Sequence, residues 1–276
     1  MSVEQSVAQH YTQGALAETI LGALRRTGKD VDRLAAADLA PVDEFHIGGR
    51  QATIDFAAEM NIRPGMRLLD IGSGLGGAAR FFAGERGCRV EGIDLTDEYV
   101  AVANDLARRV GLADVVTYRQ GSALDLPFDA ASFDGAYMLH VGMNIEDKAR
   151  LFAGVRRALK PGGIFGVYDV MRTGDGDFSF PVPWAAAAAT SFVGTPAEYR
   201  ALLQAAGFEV AKERGRRDFA IDFFQQMRAR AAQAGGPPPL GLHLVMGADF
   251  AVKTANMIDN LQRGLIAPTE IVARAN

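Results

Sequence analysis

The segment LLDIGSGLGG, residues 68–77, carries glycines at a spacing that lets the backbone approach a nucleotide closely. Gly72, Gly74 and Gly77 fit the pattern G-x-G-x-x-G, in which glycines allow a tight turn and backbone N–H groups face a pyrophosphate. Gly72, Gly74 and Gly76 fit the pattern G-x-G-x-G equally well. The spacing therefore predicts a nucleotide-binding turn without deciding which nucleotide is bound.

Two acidic residues bear on that choice. Asp70 stands two residues before the first glycine, where its carboxylate would repel the pyrophosphate of a dinucleotide. A ligand with an ammonium and a sulfonium group, such as S-adenosylmethionine (SAM), would be attracted instead. Asp94 ends the next predicted strand, in GIDLT, and could accept hydrogen bonds from two ribose hydroxyls of either NAD or SAM. Asp70 favours SAM, and NAD remains the alternative.

The elements that must position these residues are short apolar strands that alternate with helices. We predict strands at 67–71, 89–93, 115–119, 133–138 and 163–170, and helices at 76–85, 97–110 and 145–159. This alternation is typical of a parallel sheet covered on both faces, which binds ligands beyond the carboxyl ends of its strands. The N-terminal region is predicted to be helical, and a helix over 30–40 is expected to stop before Pro41.

Composition restricts the class of protein. The 276 residues, of which 49% are hydrophobic, are enough for one sizeable core. The formal net charge of −4 argues against nucleic acid as the main partner, because a phosphate backbone needs a basic surface. Cys88 is the only cysteine, and no apolar run is long enough for a membrane span. We therefore expect a cytoplasmic protein with neither a nucleic-acid partner nor a membrane span.

Five segments, taken in order, resemble the motifs of class I SAM-dependent methyltransferases: LLDIGSGLGG, GIDLT, GSALDLPF, FDGAYMLHV and LKPGGIFGVYD. The resemblance covers about residues 65–170 and is nearest to small-molecule enzymes of the sarcosine/dimethylglycine and tocopherol type. It implies an α/β fold with a Rossmann-like, doubly wound, mostly parallel seven-stranded sheet, whose antiparallel last strand corresponds to GLIAPTEIVARAN. It also implies methyl transfer from SAM to an N, O or C atom of a small-molecule acceptor by in-line displacement, with S-adenosylhomocysteine (SAH) as product.

The pattern of elements along the chain and the resemblance together divide it into parts. Residues 1–62 are expected to form a helical N-terminal cap, and residues 63–276 are expected to form the SAM-binding domain. Within that domain, about residues 171–195 are expected to form a lid, and C-terminal helices are expected at about residues 218–264. A homo-oligomer through the cap and these helices is a further expectation.

The glycine turn, the strand ends and the resemblance together predict the cofactor site. The expected SAM contacts are Tyr11, Asp70, Gly72, Ser73, Gly74, Gly76, Asp94, Leu95, Ser122, Ala123 and Met138. Ser122 departs from the family, because the third motif often has an aspartate at this position. Its contact with adenine could therefore be taken over by Asp125.

His140 and Asn144 follow the fourth predicted strand, in MLHVGMN, and are the candidate catalytic residues. The pKa range of histidine suits a general base near neutral pH. A histidine that only hydrogen-bonds a backbone carbonyl is the alternative. The acceptor is expected to contact aromatic residues of the lid, namely Phe178, Trp184 and Phe192. No metal site is expected, because the four histidines lack metal-ligand spacing.

Two other functions are weighed against methyl transfer. An NAD-dependent oxidoreductase would use the G-x-G-x-x-G spacing, but Asp70 and the later motifs disfavour it. A SAM-binding subunit without catalytic activity is the second alternative, because methyl transfer requires few signature residues. An acceptor pocket without polar groups near the SAM methyl group would favour that second alternative.

Overall fold

The computed structural model describes residues 2–276, and its centre is a seven-stranded sheet with the strand order β3-β2-β1-β4-β5-β7-β6. The strands are β1 Arg67–Ile71, β2 Arg89–Asp94, β3 Val116–Gln120, β4 Phe133–Leu139, β5 Leu159–Arg172, β6 Phe208–Gly215 and β7 Ile266–Ala275. β1 to β5 pair in parallel, whereas β7 runs antiparallel to both of its neighbours, β5 and β6. The predicted sheet and its antiparallel last strand are confirmed.

Eleven helices surround the sheet within residues 2–276. They are α1 Val3–Tyr11, α2 Leu16–Arg26, α3 Ala36–Asp43, α4 Gly49–Glu59, α5 Gly77–Arg86, α6 Asp97–Arg109, α7 Lys148–Ala158, α8 Pro196–Ala205, α9 Arg217–Ala234, α10 His243–Met246 and α11 Phe250–Gln262. Apolar residues of α7 and α8 pack on one face of the sheet, and those of α4, α5 and α6 pack on the other. None of these helices combines the length and apolar character needed to cross a membrane.

The carboxyl ends of the parallel strands meet at one edge of the sheet. Ile71 of β1 pairs with Ile93 of β2 and with Met138 of β4, so the residues that follow these strands emerge side by side. The central strand β1 reads as an apolar run because both faces of the sheet are covered there, and its residues Leu68, Leu69 and Ile71 are fully buried. This register brings the glycine turn, Asp94 and the segment after β4 to one place.

The first two helices lie over this edge and are anchored through one carboxylate. Glu98, in the first turn of α6, accepts hydrogen bonds from the backbone N–H groups of Gln13, Gly14 and Leu16 at 2.6, 3.0 and 3.0 Å. These bonds fix the turn between α1 and α2. The apolar face of α2 packs in the same cluster as Tyr99 and Leu106 of α6.

The predicted helix over 30–40 is wrong at both ends. The observed helix, α3, begins at Ala36 and continues through Pro41 to Asp43. Leu39 and Val42 are completely buried, and this packing outweighs the backbone hydrogen bond that the proline removes. The helix after β4 also begins later than predicted, at Lys148, because the Asp147 carboxylate caps it by accepting the N–H of Arg150.

Residues 173–195 connect β5 to α8 and contain a short 3-10 turn at Ala188–Thr190 and an isolated antiparallel bridge between Val182 and Ala185. Helix α11 holds this segment through two asparagines. Asn260 accepts the N–H of Ser179 at 2.8 Å, and Asn256 donates to the carbonyl of Pro181 at 2.9 Å. The segment predicted to be a lid is therefore attached to the C-terminal helices.

Candidate active site

A cavity of about 300 Å3 opens at the carboxyl edge of the sheet. Its wall includes the glycine turn, the ends of β2 and β4, helix α1, the segment Asp43–Ile47 and helices α9 to α11. The volume lies within the usual range for small-molecule sites. The position agrees with the rule that parallel sheets bind ligands beyond the carboxyl ends of their strands.

The glycine turn needs glycine for two different reasons. Gly72 has φ +68°, and a Cβ atom there would lie 2.5 Å from Val141, which also lines the cavity. Gly74 has φ +54°, but a Cβ atom there would meet nothing within 4 Å. Gly72 therefore allows two loops to approach each other, and Gly74 leaves open space for a ligand.

Asp94 links the end of β2 to the glycine turn. Its Oδ2 accepts the N–H of Gly74 at 2.8 Å, and its Oδ1 accepts the N–H of Thr96 at 2.9 Å. Each oxygen keeps a lone pair for a ligand, as two adjacent hydroxyls require. Asp94 lines the cavity, so this arrangement fits its predicted contact with a ribose.

Four buried polar atoms in the cavity wall have no hydrogen-bond partner among residues 2–276. They are Glu44 Oε1, Asp70 Oδ2, Ser73 Oγ and the Tyr99 hydroxyl. Asp70 is 3% exposed, and burial raises the pKa of its carboxyl group to about 8. Unpaired buried polar groups are costly and suit a ligand that pairs with them. A ligand with an ammonium group would pair with the Asp70 carboxylate. SAM, the cofactor predicted from the sequence, carries such a group.

The predicted SAM contacts that follow β2, β3 and β4 separate into two groups. Leu95 and Ala123 line the cavity beside Leu124, whereas Ser122 and Met138 do not. The Ser122 hydroxyl donates instead to Glu4 of α1 and accepts the N–H of Leu124. Met138 is fully buried beneath the wall. Asp125, the suggested replacement for Ser122, is exposed and also lies outside the cavity wall.

Gly76 does not line the cavity either. It has φ +80° and caps the N-terminus of α5, where its carbonyl accepts a hydrogen bond from the Tyr118 hydroxyl at 2.9 Å. Its role in this geometry is to shape the glycine turn rather than to contact a ligand.

His140 lines the cavity, but the protein engages both of its ring nitrogens. Nδ1 lies 3.1 Å from the carbonyl of Tyr168, which can only accept, so this nitrogen carries the proton. Nε2 faces the N–H of Ile47 at 3.4 Å. Burial lowers the pKa of His140 to about 3. This geometry argues against the general-base role and favours the alternative, a histidine that hydrogen-bonds a backbone carbonyl.

Asn144 connects three parts of the cavity wall. Its Oδ1 accepts from the Tyr11 hydroxyl of α1 at 3.0 Å, and its Nδ2 donates to the carbonyl of Trp184 at 2.8 Å. The predicted cofactor contact Tyr11 and the predicted catalytic residue Asn144 thus meet in one hydrogen bond. Both groups of the amide are used in holding α1 and the lid over the cavity.

Of the three aromatic residues predicted to contact the acceptor, only Trp184 lines the cavity. Phe178 packs instead under the guanidinium group of Arg172, which lies 4.1 Å from its ring centroid. Phe192 is held through its backbone, whose N–H donates to Met143 and whose carbonyl accepts from Lys148. The lid therefore supplies less of the wall than the sequence predicted.

The wall formed by the C-terminal helices was not predicted from the sequence. Phe223, Phe224 and Met227 of α9 line the cavity with Met246 of α10 and Met257 of α11. The sequence offers one indication of this wall. In FFQQM, residues 223–227, apolar residues recur at a spacing typical of one helix face. This spacing shows an apolar face but not what it covers.

The acidic residues before α4 were also missed. Asp43 forms a buried ion pair with Arg80 of α5, with Oδ2 and the guanidinium nitrogen 2.6 Å apart. Glu44 is 2% exposed, its Oε2 accepts from the Thr53 hydroxyl at 2.8 Å, and burial beside Asp43 raises its pKa to about 8. The pair holds the segment Asp43–Ile47 against the glycine turn.

A family model described as "Methyltransferase domain" matches residues 69–167, which include the glycine turn, Asp94 and β4. The chain contains a methyltransferase domain. This confirms the family that the five sequence motifs predicted. The match ends before the lid and the C-terminal helices.

Relatives of the methyltransferase domain act on different small molecules. A sterol 24-C-methyltransferase of Gibberella zeae is 37% identical over 117 residues, which are 42% of this chain and 31% of the relative. The erythromycin 3''-O-methyltransferase of Saccharopolyspora erythraea is 35% identical over 116 residues, which are 42% of this chain and 38% of the relative. The chain therefore spans about a third of the length of these curated relatives.

Several similar solved structures match along the whole chain. The geranyl diphosphate C-methyltransferase of Streptomyces coelicolor, in complex with Mg2+, geranyl-S-thiolodiphosphate and SAH, has a TM-score of 0.73 and 18% identity. The match covers 100% of this chain and 99% of the other. At this identity the likeness concerns the fold, which extends beyond the methyltransferase domain to the N-terminal and C-terminal helices.

Proposed function

We propose that the protein transfers a methyl group from SAM to an N, O or C atom of a small-molecule acceptor. The observation that carries this proposal is the cavity at the carboxyl edge of a methyltransferase domain, where Asp94 keeps two lone pairs for a ribose and Oδ2 of the buried Asp70 carboxyl group has no hydrogen-bond partner among residues 2–276. The curated relatives, whose names describe methyl transfer to a sterol and to erythromycin, support the same reaction class.

Several residues of the cavity wall have specific roles in this proposal. Asp94 accepts the two ribose hydroxyls, and Leu95 and Ala123 pack against adenine. Asp70 and Ser73 pair with the methionyl end of the ligand. Tyr11 and Asn144 hold α1 and the lid over the bound ligand, so that water is excluded from the reacting atoms.

Methyl transfer from SAM requires little of the protein beyond the positioning of the two reactants. When bound, SAM supplies an electrophilic methyl group on a sulfonium leaving group. The residues of this chain bind both reactants, align the acceptor atom with the methyl carbon and keep the site dry. A proton acceptor is needed only for acceptors that lose a proton during attack.

Parallel calorimetric titrations with SAM, SAH and NAD test the proposal. We expect SAM and SAH to bind with one site per chain and NAD to produce no signal. Binding of NAD alone would establish the oxidoreductase alternative and overturn the proposal. If the adenosyl ligands bind, a screen of small-molecule acceptors for SAH release distinguishes an enzyme from a non-catalytic SAM-binding subunit.

The affinity for SAM is expected to rise as pH increases from about 6 to 8. Because burial raises the pKa of Asp70 to about 8, its carboxyl group is mostly neutral at the acidic end of that range. The cationic ligand favours the ionised carboxylate, whose fraction grows as pH approaches the pKa. Calorimetric titrations across this range measure the change. Asp70→Asn should remove most of this pH dependence of SAM affinity. A variant with the same pH dependence as the wild type would contradict the contact assigned to Asp70.

The variant His140→Asn is expected to keep turnover within about three-fold of the wild type. Its amide can donate to the carbonyl of Tyr168 as Nδ1 does, and asparagine tolerates the φ of +58° found here. His140→Ala loses that bond in a strained conformation and should lower the free energy of unfolding by about 2 kcal/mol. SAH release and urea unfolding measure the two effects. A folded His140→Asn variant without turnover would restore the general-base role.

A further inference from the structure

The C-terminal helices form a continuous apolar wall along the cavity. Its members from α9, α10 and α11 are Phe223, Phe224, Met227, Met246, Phe250 and Met257. Several of them pack in one cluster with Met143, which follows β4, and with Trp184 of the lid, and both of these residues also line the cavity. Thr254 adds a single hydroxyl from α11.

Methionine gives this wall a particular character. Its side chain is unbranched and polarizable, so it adapts to ligands of different shape. Four methionines line the cavity, namely Met143, Met227, Met246 and Met257. Together with the phenylalanines, they favour an apolar ligand. Because methionine side chains adapt, the wall does not impose a single ligand shape.

The charges along the cavity have one sign. Within residues 2–276, every Asp, Glu, Lys or Arg side chain of the wall is acidic: Glu4, Asp43, Glu44, Asp70, Asp94, Glu146 and Asp147. Arg80 neutralises Asp43 from behind the wall. His46 and His140 are neutral near pH 7, because burial lowers their pKa values to about 4 and about 3. Glu44 and Asp70 are mostly protonated at that pH, because burial raises their pKa values to about 8, so the other acidic side chains of the wall carry the negative charge. A cleft lined by acidic groups concentrates cations and repels anions.

We propose that the acceptor is an apolar alcohol or amine that carries no negative charge, and that it lies against the wall formed by α9, α10 and α11. The site discriminates against phosphorylated and carboxylated molecules of the same carbon skeleton. The inference rests on the proposed function, because it concerns the acceptor side of the same cavity. It assigns substrate selection to helices outside the matched methyltransferase domain, at residues 69–167.

Three ligands with one alkyl chain test this proposal: 1-decanol, decylamine and decyl phosphate. The protein is first titrated with SAH, and each alkyl ligand is then added to the SAH-saturated protein below the concentration at which it aggregates. We expect decanol and decylamine to bind at least about ten-fold more tightly than decyl phosphate. Equal or tighter binding of decyl phosphate would overturn the inference, and so would the absence of binding by all three.

The order of the titrations separates the two proposals. Failure of SAH to bind would count against the proposed function itself. Normal SAH binding followed by the wrong order of alkyl ligands would refute only the inference about the acceptor.

A pair of lysine substitutions locates the binding surface. Met227 lines the cavity and is half-buried, whereas Val252, on α11, is 44% exposed. Met227→Lys should weaken decylamine binding at least about ten-fold and improve decyl phosphate binding, while SAH affinity stays unchanged. Val252→Lys should leave all three alkyl affinities unchanged. The same response in both variants would show that the alkyl ligands do not contact this wall.

Discussion

Replacing Asp94 with alanine is expected to weaken SAH binding by about 100-fold or more. Two charge-assisted hydrogen bonds to ribose hydroxyls contribute together about 3 kcal/mol or more, which corresponds to that factor. The variant also releases the backbone N–H groups of Gly74 and Thr96, which Asp94 now fixes. The glycine turn would lose its attachment to β2 at the same time. Calorimetric titration with SAH measures the loss.

Asp97→Ala is the matched control for this prediction. Asp97 lies three residues further along, is exposed and does not line the cavity. We expect its SAH affinity to equal that of the wild type. Asp94→Asn, which keeps one acceptor oxygen, should fall between the wild type and Asp94→Ala. An Asp94→Ala variant with wild-type affinity would remove Asp94 from the cofactor site.

Replacing Arg80 with methionine is expected to lower the free energy of unfolding by about 3–5 kcal/mol. Asp43 would remain buried without its charged partner, and the carbonyl of Leu75 would lose a hydrogen bond from the same guanidinium group. Because Asp43–Ile47 forms part of the cavity wall, SAH affinity should fall as well. Urea unfolding with an unchanged m-value measures the first effect.

Two further variants show whether the unpaired charge is the cause. Adding Asp43→Asn to Arg80→Met removes the uncompensated carboxylate, so part of the lost stability should return. Arg86→Met, on the same helix, removes an arginine whose guanidinium group lies over the ring of Phe81 and forms no ion pair within residues 2–276, so it should cost about 1 kcal/mol or less. A cost equally small for Arg80→Met would contradict the role assigned to the ion pair.

The nucleotide-binding part of the protein was predictable because its signals are local. The glycine turn directly follows the short, mostly apolar strand β1, and Asp94 is the last residue of β2. In a parallel sheet the carboxyl ends must lie at one edge, so chain order alone brings these residues together. The antiparallel position of β7 came from the family resemblance, since no periodicity specifies where a last strand inserts.

The ionisation and bonding of the candidate catalytic residues were not predictable in the same way. The histidine at position 140 suggested a general base. The structure instead places the ring between Tyr168 of β5 and Ile47, which are distant in sequence, and buries it. Burial and partners set a pKa, and neither can be determined from a residue and its neighbours in the chain. The ion pair between Asp43 and Arg80 was not predictable either, because its two residues are far apart in the chain.

The sequence by itself determined the fold, the methyltransferase family and the place where the cofactor is expected to bind. Only the tertiary structure decided which residues surround the acceptor. The predicted aromatics Phe178 and Phe192 lie outside the cavity wall, and α9 to α11 form it instead. A helix with an apolar face must pack against something, but its periodicity does not identify the partner surface. That choice depends on how segments far apart in the chain fold back over the sheet.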